Sequence, residues 1–369
     1  MSLLRCAPLT RTWARGLCTT LVTILACVVL GSCSRVDSSK RLRIITWADY
    51  VPADVIEIFR QETGIQVELT LSNNEEIISK LHATGGAGFD LAQPSQDRIT
   101  GVQREFGLYK PIDLSRVNLE QFRPEILAIT RRIATLDGKL YALPYVWGAE
   151  GMVVNRKYAQ ASDYNDLCRA DLRGRTSIRL RRPTLMAFAF ASGQDPFALY
   201  DDPKAYEALM EKVGRTLSAC KSIVRFFFDN KDQLLNAMRA GEVVAAMMWD
   251  TGGWKLNREN PDIQFVVPRS GALGWLDTFA LPYKGRNDAG AYKWINFTMR
   301  PEIAARITRS VGNWTAARGT EDLVDQTMRA QFNASFPQGA FKGINWYPAI
   351  PPGLEAVEGR ILDRVKAAD

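Results

Sequence analysis

Tryptophan and aspartate stand close together at three places in the chain. The pairs are Trp47 with Asp49, Trp249 with Asp250, and Trp275 with Asp277. An indole face attracts a cation or an aliphatic chain, and a carboxylate beside it can pair with an ammonium group. One such pair usually reflects core packing or a helix cap. Three pairs at the ends of predicted strands favour a cleft that binds a small cationic or aliphatic molecule.

The chain offers few groups for catalysis. His82 is its only histidine and falls within a predicted helix, whereas most acid–base and zinc sites use histidine. The glycine-rich run at residues 85–88 lacks the Lys-Ser/Thr ending of a phosphate-binding loop, so it predicts a turn. The sequence therefore predicts a binding protein that is not an enzyme and has no metal or cofactor. The remaining catalytic alternative is an envelope enzyme that uses Asp49, Asp97 or Asp277 as paired carboxylates.

The N-terminus has the pattern of a bacterial secretory signal. Residues 1–15 contain three arginines and no acid, and residues 16–30 are almost wholly apolar. The apolar run is shorter than the roughly 20 residues of a membrane span. The ending Leu-Gly-Ser before Cys33 resembles a lipobox. We therefore expect a signal peptide over residues 1–32 and a tether over residues 33–41 that begins with lipidated Cys33; an uncleaved anchor or an ordinary signal with an incidental cysteine are the alternatives.

The predicted signal peptide indicates the compartment of the protein, and its removal lowers the net positive charge of the mature chain. Lys and Arg number 47 against 40 Asp and Glu, a formal net charge of +7, but three of the positive charges lie in the leader. The mature chain is too mildly basic to indicate nucleic acid as a partner. We expect it on the periplasmic side of the bacterial cell envelope, anchored to a membrane by lipid. Cys168 and Cys220 remain in the folded body, where they could form a disulfide or stay as buried thiols.

The first half of the mature chain alternates strands and helices. Predicted strands lie at residues 42–47, 65–69 and 89–92, with helices at 52–63 and 74–83 between them. This order with short connections indicates a parallel α/β sheet, whose ligands lie beyond the carboxyl ends of the strands. Segments 47–50 and 94–97 stand at those ends and carry aromatic, acidic and hydroxyl side chains. Strands and helices alternate again beyond residue 180, which favours two lobes wound through each other.

A series of motifs, taken in order, resembles the spermidine/putrescine-binding proteins of bacterial ABC importers, within the wider periplasmic solute-binding family. The resemblance covers most of the mature chain, from about Leu42 to beyond Trp314. Its motifs are ITWADYVP at 45–52, QETGI at 61–65, FDL at 89–91, LPYVWG at 143–148, GEV at 241–243, WLD at 275–277 and INF at 295–297.

The resemblance implies a two-lobed periplasmic-binding-protein fold of type II, in the α/β class. Each lobe would be a mixed, mostly parallel sheet flanked by helices, with the ligand in the cleft between them. We expect lobe 1 to contain residues 42–148 and about 276–318, and lobe 2 residues 149–275 and about 319–369. The lobes would close over the ligand, and the closed form would dock on a membrane permease.

The resemblance also implies which side chains meet the ligand. Matched by position, they are the aromatic residues Trp47, Tyr50, Trp249 and Trp275, the hydroxyl of Ser95, and the carboxylates of Asp277 and Asp49. In this family, Asp277 would meet an inner ammonium group, and the two later tryptophans would flank the methylene chain of the ligand.

The sequence departs from the family pattern at several site positions. The acids that grip a terminal amine are absent after the strand near residues 178–180, where Arg181 and Arg182 stand instead. Asp97 replaces a tyrosine, and Asn313, followed by Trp314, replaces another. An ammonium left without its buried carboxylate would lose about 3–5 kcal/mol of binding free energy. Two hypotheses stay open: Asp97 and Asp250 substitute for the missing acids, or Arg181 or Arg182 binds a carboxylate or phosphate.

These observations predict the substrate-binding lipoprotein of an ABC importer. It would be a monomer that captures a polyamine-like cation such as putrescine or spermidine and delivers it to a permease and its ATPase. One alternative is the same fold and transport role for a zwitterionic or anionic small ligand. Another is a receptor that reports the ligand to a partner protein.

Overall fold

The computed structural model describes residues 38–337 and 340–367. The predicted signal peptide over residues 1–32 and the predicted lipidation of Cys33 lie outside the described residues. From Ser39 onward the chain packs as a compact unit of its own. Within the described part, no helix has the length and apolar character needed to cross a membrane.

The strands form two main sheets and two short pairs. One sheet has the order β2-β1-β3, and the larger one runs β15-β12-β7-β10-β8-β9, with β11 and β14 also paired to β7. The strands are β1 (Arg41–Thr46), β2 (Gln66–Leu71), β3 (Leu91–Ala92), β4 (Tyr109–Lys110), β5 (Thr135–Leu136), β6 (Lys139–Leu140), β7 (Leu143–Asn155), β8 (Thr176–Ile178), β9 (Phe226–Phe227), β10 (Ala245–Trp249), β11 (Ile263–Val266), β12 (Ala272–Phe279), β13 (Leu281–Pro282), β14 (Trp314–Thr315) and β15 (Ile344–Trp346).

Helices connect the strands and cover the sheets. They are α1 (Ala53–Thr63), α2 (Asn74–Thr84), α3 (Thr100–Phe106), α4 (Pro124–Ala134), α5 (Arg182–Ala191), α6 (Pro203–Lys221), α7 (Lys231–Arg239), α8 (Asp250–Glu259), α9 (Asp288–Thr298), α10 (Pro301–Val311), α11 (Gln326–Ser335) and α12 (Leu354–Ala367).

The first half confirms the β-α-β-α-β order expected from the sequence. Strand β1 pairs in parallel with both β2 and β3. Helix α1 ends at Gly64, whose backbone φ of +70° favours glycine and lets its N–H donate to the carbonyl of Arg60. Helix α2 begins after Asn73, whose side chain accepts a hydrogen bond from the N–H of Glu76. His82 lies on helix α2, as predicted, and its side chain is exposed.

Strand β7 is the central element of the larger sheet. All of its residues, Leu143–Asn155, are buried, and it pairs antiparallel with β10, β11, β12 and β14. Strand β12 runs beside it and continues to the first sheet, where Ala280 bridges Ala92 and Asp277 bridges Ser95. The two sheets are therefore joined through β12 and the residue that follows it. The exact lobe boundaries expected from the sequence remain a prediction.

A disulfide joins Cys168 to Cys220, whose Cα atoms lie 5.0 Å apart. The sequence alone left open whether these two cysteines are bonded or are buried thiols, and the structure shows the bond. The bond ties the turn before β8 to the last turn of α6. Because the cysteines are 52 positions apart in the sequence, loop-closure entropy gives a stabilisation of about 4 kcal/mol.

Candidate ligand-binding cleft

Three neighbouring strands direct the candidate binding residues to one face of the larger sheet. Trp275 and Asp277 stand two residues apart on β12, and Trp275 lies opposite Gly148 of β7. Glu150 stands two residues beyond Gly148, opposite Trp249 of β10. Side chains two apart on a strand, and those directly opposite on paired strands, share a face. These five positions therefore form one continuous surface with an acid near each end.

Asp277 is buried, and hydroxyl groups hold both of its carboxylate oxygens. Tyr50 donates its hydroxyl to Oδ2 at 2.6 Å, and Ser95 donates its hydroxyl to Oδ1 at 2.5 Å. Asn74 in turn donates its side-chain amide to Ser95 Oγ at 3.0 Å. Burial raises the pKa of Asp277 to about 6, although the hydrogen bonds from Ser95 and Tyr50 lower it. The two hydroxyl groups therefore orient the carboxyl of Asp277. Each hydroxyl is neutral and can rotate to a different hydrogen-bond partner.

Aromatic rings surround this carboxyl. The Trp47 and Tyr50 ring centroids lie 6.3 Å apart, and Trp47 donates its indole N–H to the carbonyl of Gln93 at 3.0 Å. The Trp275 indole lies over the backbone of Gly148. A Cβ at position 148 would stand only 2.5 Å from Cζ2 of Trp275, so glycine is needed there for the ring to lie flat against β7.

Asp250 is also buried, but backbone groups hold its carboxylate. It accepts hydrogen bonds from the N–H groups of Ala149 at 2.9 Å and Thr251 at 2.7 Å, and from the side-chain amide of Asn313 at 3.1 Å. Burial raises its pKa to about 7, while these hydrogen bonds lower it. Asn313 also stands beside Gly148. Asn313 therefore borders the Trp275 ring, and two of the three donors to Asp250 are backbone N–H groups.

Asp97 lies in the short turn after Ser95. Burial raises the pKa of Asp97, and the charges of Arg98 and Arg182 lower it. The carboxylate of Asp97 in turn raises the pKa of Asp277. It therefore adds a second acid to the Asp277 end of the face.

The two arginines that the sequence singled out already have carboxylate partners. Arg181 is exposed and pairs with Asp229 at 2.9 Å. Arg182 is largely buried, and its Nε lies 3.0 Å from Glu358. It also donates to the Tyr200 hydroxyl at 2.6 Å. Neither guanidinium is a free anion-binding group in this structure.

The structure places Trp314 away from this face and leaves Asp49 exposed. Trp314 pairs with Trp147 in the β14–β7 ladder, and Trp147 points away from its neighbour Gly148. Trp314 is 2% exposed, and its ring centroid lies 4.3 Å from that of Phe332 in the core on the opposite side. Asp49 is exposed, and its backbone has a φ of +67°.

Two residues of the face were missed by sequence reasoning. Glu150 is 3% exposed, and burial raises its pKa to about 7 even though the charge of Arg179 lowers it. The guanidinium carbon of Arg179 lies 4.6 Å from the ring centroid of Trp249. Glu150 could have been found as the only charged residue in the thirteen-residue strand β7, because an acid within a buried apolar strand requires a reason. No local sequence pattern identifies Arg179 as a residue of this site.

Metal-ligating clusters and open grooves were compared with the Asp277 face within the described part of the chain. No cluster of three or more metal-ligating side chains occurs among residues 38–337 and 340–367. A groove of about 570 Å³ lies between Arg104, Arg132 and Phe197, and one of about 330 Å³ lies beside Trp254 and Arg309. Neither groove is lined by the five residues of the Asp277 face.

Comparisons with known proteins support a binding role. A model of the bacterial extracellular solute-binding protein family matches residues 54–334. The spermidine/putrescine-binding periplasmic protein of Escherichia coli K12 is 28% identical over 288 residues, 76% of this chain and 79% of that protein. The putrescine-binding periplasmic protein PotF of the same organism is 24% identical over 375 residues, 97% of this chain and 99% of that protein.

The fold is shared with a solved protein. The spermidine/putrescine ABC transporter substrate-binding protein PotD of Streptococcus pneumoniae superposes with a TM-score of 0.75 and 23% identity, covering 89% of this chain and 99% of that one. This likeness confirms the two-lobed α/β fold expected from the sequence. Because the family model spans most of the chain, this protein belongs to the bacterial extracellular solute-binding protein family.

Proposed function

We propose that this protein is the substrate-binding component of an ABC importer and captures, between its lobes, a small molecule that carries an aliphatic ammonium group, such as a polyamine. The observation that carries the proposal is the environment of Asp277. A buried carboxyl, with a pKa raised to about 6, stands beside the Trp275 indole and is held by the hydroxyls of Tyr50 and Ser95. The two relatives, named as spermidine/putrescine-binding and putrescine-binding proteins, agree with this chemistry.

Each part of this site has a role in holding an ammonium group. Ionised Asp277 attracts the cation in surroundings that exclude water, where charge pairing is strong. The Tyr50 and Ser95 hydroxyls keep the carboxylate oriented, and the Trp275 face packs against the methylene groups. Asp97 strengthens the negative potential from the adjacent turn. Binding needs no covalent step, so we infer that the protein does not act as an enzyme.

Contacts between the turn that follows Ser95 and the C-terminal part of the chain would stabilise the form that is closed over the ligand. Arg98, which follows the Ser95 turn, pairs with Glu355 of α12 at 2.8 Å. The side chain of Gln96 donates to the carbonyl of Tyr347 at 3.2 Å. We infer that these contacts form when the lobes close and that the closed form delivers the ligand to a permease. Lipidation of Cys33 would keep the monomeric protein at the membrane.

Thermal shift on the mature chain from residue 34 tests this proposal. Ligands that bind only the folded state raise the melting temperature. We expect putrescine or spermidine at millimolar concentration to raise it, and Asp277→Asn or Trp275→Ala to abolish the increase. The control is Asp171→Asn, which removes an exposed carboxylate that pairs with Arg169. An equal shift in Asp277→Asn, or none with any aliphatic amine, would refute the proposed site.

A further inference from the structure

The Trp249 end of the face already contains a cation that belongs to the protein. Arg179 follows β8, which pairs in parallel with β10, and Trp249 ends that strand. The guanidinium carbon of Arg179 lies 4.6 Å from the ring centroid of Trp249, within the range of cation–π attraction. The guanidinium therefore covers the aromatic surface that a cationic ligand would otherwise use.

Glu150 supplies the negative partner at this end. It stands opposite Trp249 in the β7–β10 ladder and is 3% exposed. Its Oε1 has no hydrogen-bond partner within the described residues. The positive charge of Arg179 lowers the pKa of Glu150, whereas burial raises it. The two side chains therefore interact electrostatically. An indole face beside a buried carboxylate is a site that suits a cation, and Arg179 lies there.

Arg179 retains donor capacity for a ligand. Its Nε is buried and has no hydrogen-bond partner in the part of the chain that the structure describes. A guanidinium matches the geometry of a carboxylate and binds it through paired N–H groups. The neighbouring Arg182 differs, since Glu358 and Tyr200 already accept its hydrogen bonds.

We propose that Arg179 permanently occupies a second cation site formed by Trp249 and Glu150, so that the cleft prefers a ligand with one ammonium and one carboxylate group. The ammonium would bind at Asp277, and the carboxylate would accept hydrogen bonds from Arg179. The substrate class is then an ω-amino carboxylate, and a diamine binds only weakly through one end. This inference rests on the proposed function, because it places the ammonium at Asp277.

A set of four-carbon ligands tests the idea by isothermal titration calorimetry. Putrescine has two ammonium groups, 4-aminobutyrate replaces one with a carboxylate, and butylamine replaces one with a methyl group. For the wild-type protein we expect 4-aminobutyrate to bind about tenfold more tightly than putrescine or butylamine, equivalent to about 1.4 kcal/mol.

One variant should reverse this preference, and a second change should remove part of that reversal. Arg179→Ala should free the second cation site, so that putrescine gains about tenfold in affinity and 4-aminobutyrate loses a similar factor. Adding Glu150→Gln to Arg179→Ala should remove the gain for putrescine. The control is Arg225→Ala, which removes an exposed arginine paired with Glu242 near the same sheet edge and should change none of the affinities. Circular dichroism of each variant reports whether it is folded.

The outcomes separate this inference from the proposed function. Putrescine binding that depends on Asp277, equals or exceeds that of 4-aminobutyrate and is unchanged in Arg179→Ala would overturn the inference and leave the proposed function intact. An equal effect of Arg225→Ala would also overturn it. Binding of these ligands that survives Asp277→Asn would overturn both.

Discussion

Asp250 and Asp277 look alike in the sequence, since each closely follows a tryptophan, but the structure gives them different partners. Both are buried, and burial raises the pKa of each. Asp250 accepts hydrogen bonds from two backbone N–H groups and an asparagine, whereas Asp277 accepts them from two hydroxyls.

This difference separates a carboxyl that holds the fold from one that is suited to a ligand. A backbone N–H cannot turn away without moving the chain, so removing Asp250 leaves donors unsatisfied. Hydroxyls can rotate, and they can donate to an ionised carboxylate while it also meets an ammonium. Asp250 should therefore control stability, and Asp277 should control binding.

The largest expected effect is that of Asp250→Ala on stability. The N–H groups of Ala149 and Thr251 and the side chain of Asn313 would all lose their acceptor. At pH 5, we expect the free energy of unfolding to fall by about 3 kcal/mol or more, measured by urea denaturation followed by circular dichroism. Asp277→Ala serves as the matched comparison, because its lost partners are hydroxyls that can find others. An equal or greater loss in Asp277→Ala would remove the distinction between the two acids.

The pH dependence of stability should show Asp250 as well. Its pKa of about 7 in the folded protein exceeds the value of about 4 for an unfolded aspartate. Its contribution to stability is therefore complete below about pH 4 and is lost as the pH rises through 7. Glu150 and Asp277 act in the same direction.

Asp250→Asn should flatten this profile. We expect the wild-type protein to lose about 2 kcal/mol more than Asp250→Asn between pH 5 and pH 7, since one proton contributes up to about 1.4 kcal/mol per pH unit. Parallel profiles for the two proteins would show that Asp250 is already ionised at pH 5.

Ligand affinity should depend on pH through Asp277. A cation binds the ionised carboxylate, and the pKa of Asp277 is about 6. We expect the affinity for an aliphatic amine to be about tenfold weaker at pH 5 than at pH 8 and to level off above pH 7. Asp97, whose pKa is also raised, adds to the same trend. An affinity that is constant from pH 5 to pH 8, measured by calorimetry, would contradict a direct role for Asp277.

The smallest effect is expected from Ser95→Ala. This change removes one of the two hydroxyls that hold Asp277 and should raise the pKa of that carboxyl, because the Ser95 hydrogen bond lowers it. We expect a loss of about 1 kcal/mol in ligand affinity at neutral pH with little change in stability. Thr84→Ala, which removes an exposed hydroxyl on α2, is a suitable control. A loss in stability without a loss in affinity would give Ser95 a purely structural role.

Local sequence patterns predicted the elements of the fold well. Helix α1 and the parallel pairing of β1 with β2 and β3 follow from hydrophobic periodicity and short connections. The disulfide could not be decided in advance, because sequence separation does not give the distance between Cys168 and Cys220.

The candidate site needed the strand register as well. Trp314 looked like another cleft aromatic, but pairing with Trp147 turns it into the opposite core. Glu150 and Arg179 meet Trp249 only because three strands lie side by side. Such contacts depend on long-range pairing, which no local pattern encodes.

Calorimetric titration of Asp277→Asn and Asp250→Asn with the same aliphatic amine at pH 8 tests the central claim most directly. Both variants remove one buried negative charge and keep the shape of the side chain. We predict that Asp277→Asn weakens binding by about a hundredfold or more, corresponding to about 3 kcal/mol, and that folded Asp250→Asn binds within a few fold of the wild-type protein. The reverse order, with strong binding retained by Asp277→Asn and lost in folded Asp250→Asn, would contradict the account.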